Sequence, residues 1–349
     1  MKQTKAKITL ALFTLLLTML ISGCGTHATI KALEPAEIDR AASLKQIGVL
    51  PFDERKGNRD SHNVNLGPKI EAKLASYQLD GTNYFTVVSR SDLDKLMDEQ
   101  KFQRSGLVDE SKIAELGRLA GAQALISGSV SSTSLNDSRH NEKRSRLVNC
   151  DSKGKNCQRQ EYTVNCTIRT IGMGAQIRMV DVSRGDLVTA QTYTESKNWK
   201  QCSDTSTPLP ALEQGIEIHS DKVANDFVSK ITPRYITFKV KLIDKLDVKL
   251  EKSQEEKFKS AIAFIKADRL DRSEAIFVEL LEETQQQSYA VAYNLGVVNE
   301  AAAKYQDAKN LYAIADSLTT KPVKQIDEAI NRIEDLIAKQ ERAQEQMSR

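Results

Sequence analysis

Cysteine is the residue type in this chain best placed to do chemistry. Five occur: Cys24, and then Cys150, Cys157, Cys166 and Cys202. In an oxidising compartment the last four, an even set, read as two disulfides whose pairing spacing alone leaves open. Cys150 and Cys157 flank the turn-rich Asp151-Ser152-Lys153-Gly154-Lys155-Asn156, so the preferred pairing joins them across a hairpin and leaves Cys166 for Cys202. A zinc site is the competing chemistry. No pair has C-x-x-C spacing, and only His140 accompanies the cluster, so no metal is expected. Catalysis finds less support still. His27, His62, His140 and His219 are scattered, and there is no H-E-x-x-H, G-x-S-x-G or Walker loop. Ser127-Gly128-Ser129 falls within a predicted strand and is better explained by tight packing than by a nucleophile. Gly172-Met173-Gly174 lacks the third glycine and following helix of a dinucleotide loop and marks a bend or bulge. Trp199, the single tryptophan, suits either the core or an interface. These residues point to a non-enzyme.

Cys24 stands apart. Lys2, Lys5 and Lys7 precede an uncharged, largely apolar run from Ile8 to Ile21, and Ser22-Gly23 lead into the cysteine. A basic start, a short apolar core and small residues make a secretory signal. The run falls short of the roughly 20 apolar residues that a bilayer crossing needs. Ile21-Ser22-Gly23-Cys24 resembles a bacterial lipobox, with Ile where that pattern prefers Leu. The resemblance implies cleavage before Cys24, acyl chains such as palmitate on that residue, and a mature chain in the periplasm. Gly25, where inner-membrane retention uses Asp, implies the outer membrane. The competing reading is an ordinary cleaved signal followed by a coincidental cysteine.

Residues 1–23 hold three lysines and no acid, and without them basic and acidic residues balance. That balance gives no support to nucleic-acid binding, which normally shows a basic excess. No second apolar stretch approaches spanning length.

Several elements frame these residues. Gly25 to about Ser43 reads as a tether with one extended motif, Leu33-Glu34-Pro35-Ala36-Glu37-Ile38. Ile47-Gly48-Val49-Leu50-Pro51-Phe52 reads as a buried strand, and Asp53–Asn65 as a loop. Ile70, Leu74 and Tyr77 at helical spacing follow Pro68, which suits a helix start. Tyr84–Val88 is β-branched and aromatic, hence a strand. A helix with Leu93, Leu96 and Met97 on one face follows. Asp109 or Ser111 opens another, holding Ile113, Leu116 and Leu119 and stopped by Gly121. Ala124–Val130 is the third strand. Two further β segments, Tyr162–Val180 and Leu187–Tyr193, meet at the turn Asp181–Asp186. Strands alternating with helices, then antiparallel strands, predict an α/β fold with a mixed sheet flanked by helices.

The run Ile47–Phe52, then Phe85-Thr86-Val87-Val88-Ser89-Arg90-Ser91-Asp92-Leu93-Asp94-Lys95-Leu96, Ser105-Gly106-Leu107-Val108-Asp109, Gly121–Val130 and Val180–Asp186 resembles the CsgG family of outer-membrane lipoproteins, the curli-production assembly/transport component. The resemblance covers roughly residues 45–230. It implies a periplasmic domain of envelope assembly or export, with envelope proteins as partners, curli-type secretion components among them, and a homo-oligomer as one possible state.

From about Glu251 the chain turns to charged amphipathic helices. Ala292-Tyr293-Asn294-Leu295-Gly296, then Ala303, Tyr305, Ala308, Tyr312 and Ala315, resemble a tetratricopeptide repeat, and Ala263 and Ala275 repeat Gly296 and Ala308. A generic helical bundle is the alternative. Pro322 breaks the chain before a helix with Ile326, Ile330, Ile333 and Ile337 on one stripe. The expected organisation is a signal over 1–23, a lipidated tether over 24–44, the CsgG-like α/β domain over 45–235, a connector over 236–252, and an all-α tetratricopeptide-like helical repeat domain over 253–345. In such repeats, inner-helix polar residues often contact a ligand, which makes Tyr293, Asn294 and Asn299 the partner-binding candidates.

The curli exporter donates β-hairpins to a membrane barrel, and here the sequence departs from the family. Between Leu135 and Gln160 it places Arg139, Lys143, Arg144, Arg146, Lys153, Lys155 and Arg159 on both alternating faces, and 194–209 has no apolar alternation either. A lysine or arginine facing lipid at the midplane costs about 2–4 kcal/mol. Both insertions are therefore expected to be aqueous. The basic stretch suits docking onto lipopolysaccharide phosphates, peptidoglycan carboxylates or an acidic partner, or else is a solvated hairpin whose charges protect a sheet edge. The leading expectation is a non-catalytic assembly, export or scaffold lipoprotein. A regulatory tether for an envelope enzyme such as a peptidoglycan synthase comes second, and a secretion pore third.

Overall fold

The computed structural model describes residues 26–54, 64–99 and 109–349. Cys24 with its leader, His62 and Ser105–Val108 lie outside the described residues. In chain order the elements are β1 (His27–Glu34), α1 (Asp39–Ala42), β2 (Gln46–Val49), β3 (Asp53–Glu54), α2 (Leu66–Ser76), β4 (Gln78–Leu79), β5 (Thr82–Asn83) and β6 (Thr86–Val87). Then come α3 (Arg90–Glu99), α4 (Glu110–Leu119), β7 (Ala124–Val148), β8 (Gln158–Asp181), β9 (Asp186–Cys202), α5 (Leu212–Ile231) and β10 (Arg234–Lys241). Five helices follow: α6 (Lys252–Lys266), α7 (Leu270–Glu283), α8 (Tyr289–Ala301), α9 (Tyr305–Ser317) and α10 (Lys324–Ser348). The chain divides into two compact units, one of Pro35–Arg234 with Gln346–Arg349, the other of the residues up to Glu34 with Tyr235–Glu345.

The first unit is built on a mixed sheet of order β6-β2-β7-β8-β9, with β3 also beside β7. β2 runs parallel to β6 and β7, whereas β7, β8 and β9 are antiparallel. The expected apolar runs fill both faces. Ile47, Val49, Ile126, Ile177 and Met179 pack with Ile70 and Leu74 of α2 and Val223 and Phe227 of α5. Leu50, Leu125 and Val180 pack on the other side with Leu93 and Met97 of α3 and Ile113 and Leu116 of α4. Asp109 caps α4, its carboxylate accepting the Ser111 amide at 3.0 Å, and Gly121 follows at φ +66° to end it. Ser127-Gly128-Ser129 is a packing feature: a Cβ on Gly128 would stand 2.6 Å from the Gln176 carbonyl oxygen of the neighbouring strand.

The β8–β9 turn is held by one carboxylate. Asp181 accepts the Ser183 amide at 2.9 Å, the Ser183 hydroxyl at 2.7 Å and the Arg184 amide at 3.1 Å. Burial opposes ionisation of Asp181, but these donors outweigh it and hold the carboxyl below its ordinary value near 3.8. A depressed carboxyl pKa gives stability that is present above the unfolded value and lost as pH falls through the folded one. Asp181→Asn should therefore destabilise the unit by about 1–2 kcal/mol at pH 7, and the difference should shrink on acidification below about pH 4, read from urea midpoints.

The second unit departs from expectation at its start. Residues expected as a tether and a connector form β1 and β10, which pair in a two-stranded sheet. Ala28, Ile30 and Ala32 alternate into the same core as Val240, and Ile236 and Phe238 pack against it. The period-2 signal was therefore present in both segments. The helices that follow fit the expected helical repeats. Consecutive members pack together, with the Phe258 and Phe277 rings edge-on at 5.8 Å. Gly296 lets α9 approach α8, since a Cβ there would lie 2.6 Å from Tyr312 Cε1. Ile326 and Ile333 of α10 are buried, and Ile330 and Ile337 pack against the same core.

Inside that core sits a charged group. Glu300 is fully buried and receives Arg332 through Nε at 2.7 Å and Nη2 at 2.9 Å, with the Tyr312 hydroxyl also donating to it. Burial alone would weaken the Arg332 guanidinium's hold on its proton, but the Glu300 carboxylate reverses this and raises it.

Candidate functional site

The feature of the first unit that the core does not explain is the length of its strands. The sequence suggests that β7 ends near Val130 and β9 near Tyr193, yet β7 continues to Val148, β8 pairs with it from Gln158 onward, and β9 reaches Cys202. The two polar insertions are therefore one ribbon. Its outer part, Ser132–Val148 with the facing half of β8, extends about 55 Å at the usual rise per strand residue.

A bulge between Val130 and Ser132 starts the ribbon. It lies opposite Gly174, where a Cβ would stand 2.7 Å from the hydroxyls of both Ser131 and Ser132. The Gly172-Met173-Gly174 stretch is thus a close approach between strands, opposite a bulge on the partner strand. The base is anchored through Ile171 and Met173, buried beneath α5. Gly215 of that helix sits against Ile171, and the buried His219 ring hydrogen-bonds the Ile171 carbonyl at 3.0 Å. Trp199 is half-buried, edge-on to His219 at 6.4 Å between centroids.

Farther out, the cross-strand register brings His140, Cys166 and Cys202 side by side on one face. Cys166 is bonded to Cys202, and Cys150 to Cys157, which is the preferred sequence pairing. Beside the first bridge Glu142 gathers the neighbouring charges. Lys200 donates to it, His140 Nε2 lies 3.1 Å away, and Arg144 Nη2 is at 3.4 Å. The Lys200 contact and then His140, with a smaller part from Arg144, hold the Glu142 carboxyl down to about 2. Arg144 Nη1 also bonds both oxygens of Asp204, at 2.9 and 2.8 Å, and Tyr162 donates to the same carboxylate at 3.2 Å. His140, Glu142 and Cys166 place ligand-type atoms within 4.8 Å of one another. As a metal site the set does not fit, because the Cys166 sulfur is in a disulfide and cannot act as a thiolate.

At the tip the second bridge closes a short loop. The Asp151 carboxylate accepts the amides of Lys153 and Lys155 and the Asn156 side-chain amide. Of the basic residues singled out in the sequence, Arg144 is tied to Asp204, and Arg146 bonds Gln160 and stacks over Tyr162. Arg139, Lys143, Lys153, Lys155 and Arg159 are exposed. The Glu142–Lys200 and Arg144–Asp204 links were not expected from sequence, since Glu142 and Arg144 of β7 meet Lys200 of β9 and Asp204 just past its end only through the register of both strands on β8.

The partner-binding candidates of the helical unit are corrected. Tyr293, Asn294 and Asn299 are all buried. Asn294 accepts the Ile243 amide at 3.0 Å and donates to the Ile243 carbonyl at 2.7 Å. Tyr293 donates to the Lys241 carbonyl, and Asn299 to Leu295 one turn back in its own helix. Their polar groups satisfy backbone rather than face a groove, because the segment leaving β10 covers that face of α8.

Residues 36–207 match the family described as "Curli production assembly/transport component CsgG". Among solved structures, the LpoB C-terminal domain from Salmonella enterica is 13% identical over 44% of this chain and 83% of its own, with a TM-score of 0.26. The PelC dodecamer from Paraburkholderia phytofirmans is 15% identical over 60% and 99%, with a TM-score of 0.28. Lipoprotein GNA1162 from Neisseria meningitidis is 12% identical over 53% and 98%, with a TM-score of 0.26. At such scores these likenesses add nothing to the family match. No curated protein matches the sequence. The matched segment contains the whole mixed sheet and its ribbon, β2 through β9, and it is this α/β segment that belongs to the CsgG family.

Proposed function

We propose that the protein is an outer-membrane-anchored, periplasm-facing lipoprotein that serves envelope assembly or export as a non-catalytic scaffold. One observation carries this reading: a CsgG-family domain whose long ribbon is charged on both faces. Arg139 and Lys143 lie on one face, and Glu142, Arg144 and Arg146 on the other. Such a ribbon has no apolar side to turn toward lipid tails, which supports an aqueous role rather than a contribution to a barrel. The Ile21-Ser22-Gly23-Cys24 sequence supports the anchor. With acyl chains holding the N-terminus, the family domain and the helical unit are both available to bind envelope proteins.

Density-gradient fractionation with a fatty-acid label tests the reading. After a high-salt wash, which releases contacts made by charge alone, the expected result is labelled wild-type protein in the outer-membrane fraction, and Cys24→Ser that takes no label and leaves that fraction. A Cys24→Ser chain that still bands with the outer membrane after that wash would overturn the anchor. Residues 25–349, which contain every described residue, should stay in solution without detergent and give no conductance steps in planar bilayers. Conductance would revive the pore. Crosslinking in intact cells then identifies the partner.

A further inference from the structure

The ribbon tip concentrates charge of one sign, most of it without an ion-pair partner among the described residues. Residues 143–161 hold six cations, Lys143, Arg144, Arg146, Lys153, Lys155 and Arg159, against Asp151 and Glu161. Arg144 is neutralised by Asp204, and the Asp151 carboxylate is taken up by its own loop. Lys143, Lys153, Lys155 and Arg159 have no ion-pair partner among the described residues and are exposed. Among these cations stands an apolar side chain: Leu147, directly across from Arg159 on the face it shares with Lys143, is 65% exposed. The Cys150–Cys157 bridge fixes the loop that presents Lys153 and Lys155.

We propose that this tip is a membrane-surface contact: it docks on a bilayer bearing anionic phosphate headgroups, with the cations over the phosphates and Leu147 entering the headgroup layer. Charge complementarity selects an anionic surface, each lysine or arginine near it contributing about fivefold in binding. An exposed leucine among cations suits the lipid interface, where an apolar side chain gains and the charges remain hydrated. A narrow two-stranded tip offers little of the roughly 800 Å² per partner that a stable protein interface buries. A carboxylate polymer such as peptidoglycan would use the cations and leave Leu147 without a role. The contact goes beyond the proposed anchor, because it requires no lipid on Cys24.

Co-sedimentation of residues 25–349, which lack the cysteine, with vesicles tests it. The expected result is binding to vesicles of phosphatidylglycerol and phosphatidylcholine in equal parts, none to phosphatidylcholine alone, and release by added salt. Lys153→Glu with Lys155→Glu should weaken binding at least about thirtyfold, and Leu147→Asp about tenfold. Lys259→Glu with Lys266→Glu, exposed in α6 of the other unit, makes the same charge change and should leave binding unaltered. Binding that ignores phosphatidylglycerol, or that the ribbon variants do not reduce, overturns the proposal. Binding unchanged by Leu147→Asp and displaced by soluble polyphosphate shows simple anion exchange and overturns it too.

Discussion

Glu300→Ala should lower the stability of the helical unit by about 3–5 kcal/mol, the usual result of leaving one member of a buried ion pair alone. The substitution strands the mostly buried Arg332 guanidinium, whose two bonds to Glu300 are its means of remaining charged away from water. It also removes the acceptor of the buried Tyr312 hydroxyl, whose ionisation burial and then the Glu300 charge already push well upward. The pair itself is a different matter. Replacing both partners with apolar residues of similar volume, Glu300→Leu with Arg332→Met, should recover most of the loss, because the desolvation penalty disappears with the charges. Urea unfolding of residues 25–349 separates the outcomes. Far-UV circular dichroism follows the helices, while Trp199, the only tryptophan, reports the other unit. A loss below about 1 kcal/mol for Glu300→Ala would mean that the pair is not desolvated as described.

Asn294→Ala should cost about 2–4 kcal/mol in the same assay, and this result decides between two roles for one residue. As a groove residue at a repeat surface, Asn294 would be replaceable with little effect on folding. As the structure has it, the side chain bonds both the amide and the carbonyl of Ile243, and alanine leaves two buried backbone groups without partners. Asn294→Asp is a sharper probe. It keeps the acceptor for the Ile243 amide but sets a carboxylate against the Ile243 carbonyl, so it should be at least as damaging at pH 7.

Tyr293 and Asn294 show where sequence stopped being informative. Their spacing marked a helix that the structure contains, but the backbone they serve lies far away in sequence, and no local pattern predicts it. The strands show a second limit. Ile47–Phe52 and Ala124–Val130 were legible because burial makes a strand apolar. β7 beyond Ser131 was not, because neither face of its outer part packs on a core, and backbone pairing alone leaves no trace in polarity. The disulfides mark that same polar region as structured, and their pairing followed from the turn residues between Cys150 and Cys157. Asp109, Gly121 and the Asp181–Gly185 turn were readable because their function is local: a cap, a stop and a carboxylate that folds its own loop.

The strand that begins at His27 has a mechanical consequence. Only Gly25 and Thr26 separate it from Cys24, a reach of about 10 Å even when fully drawn out. A fatty-acylated Cys24 would therefore leave no slack leash. It would moor β1, and with it the helical unit's own hydrophobic interior, within a side chain or two of the bilayer, so that thermal jostling of the membrane is passed directly to the helices.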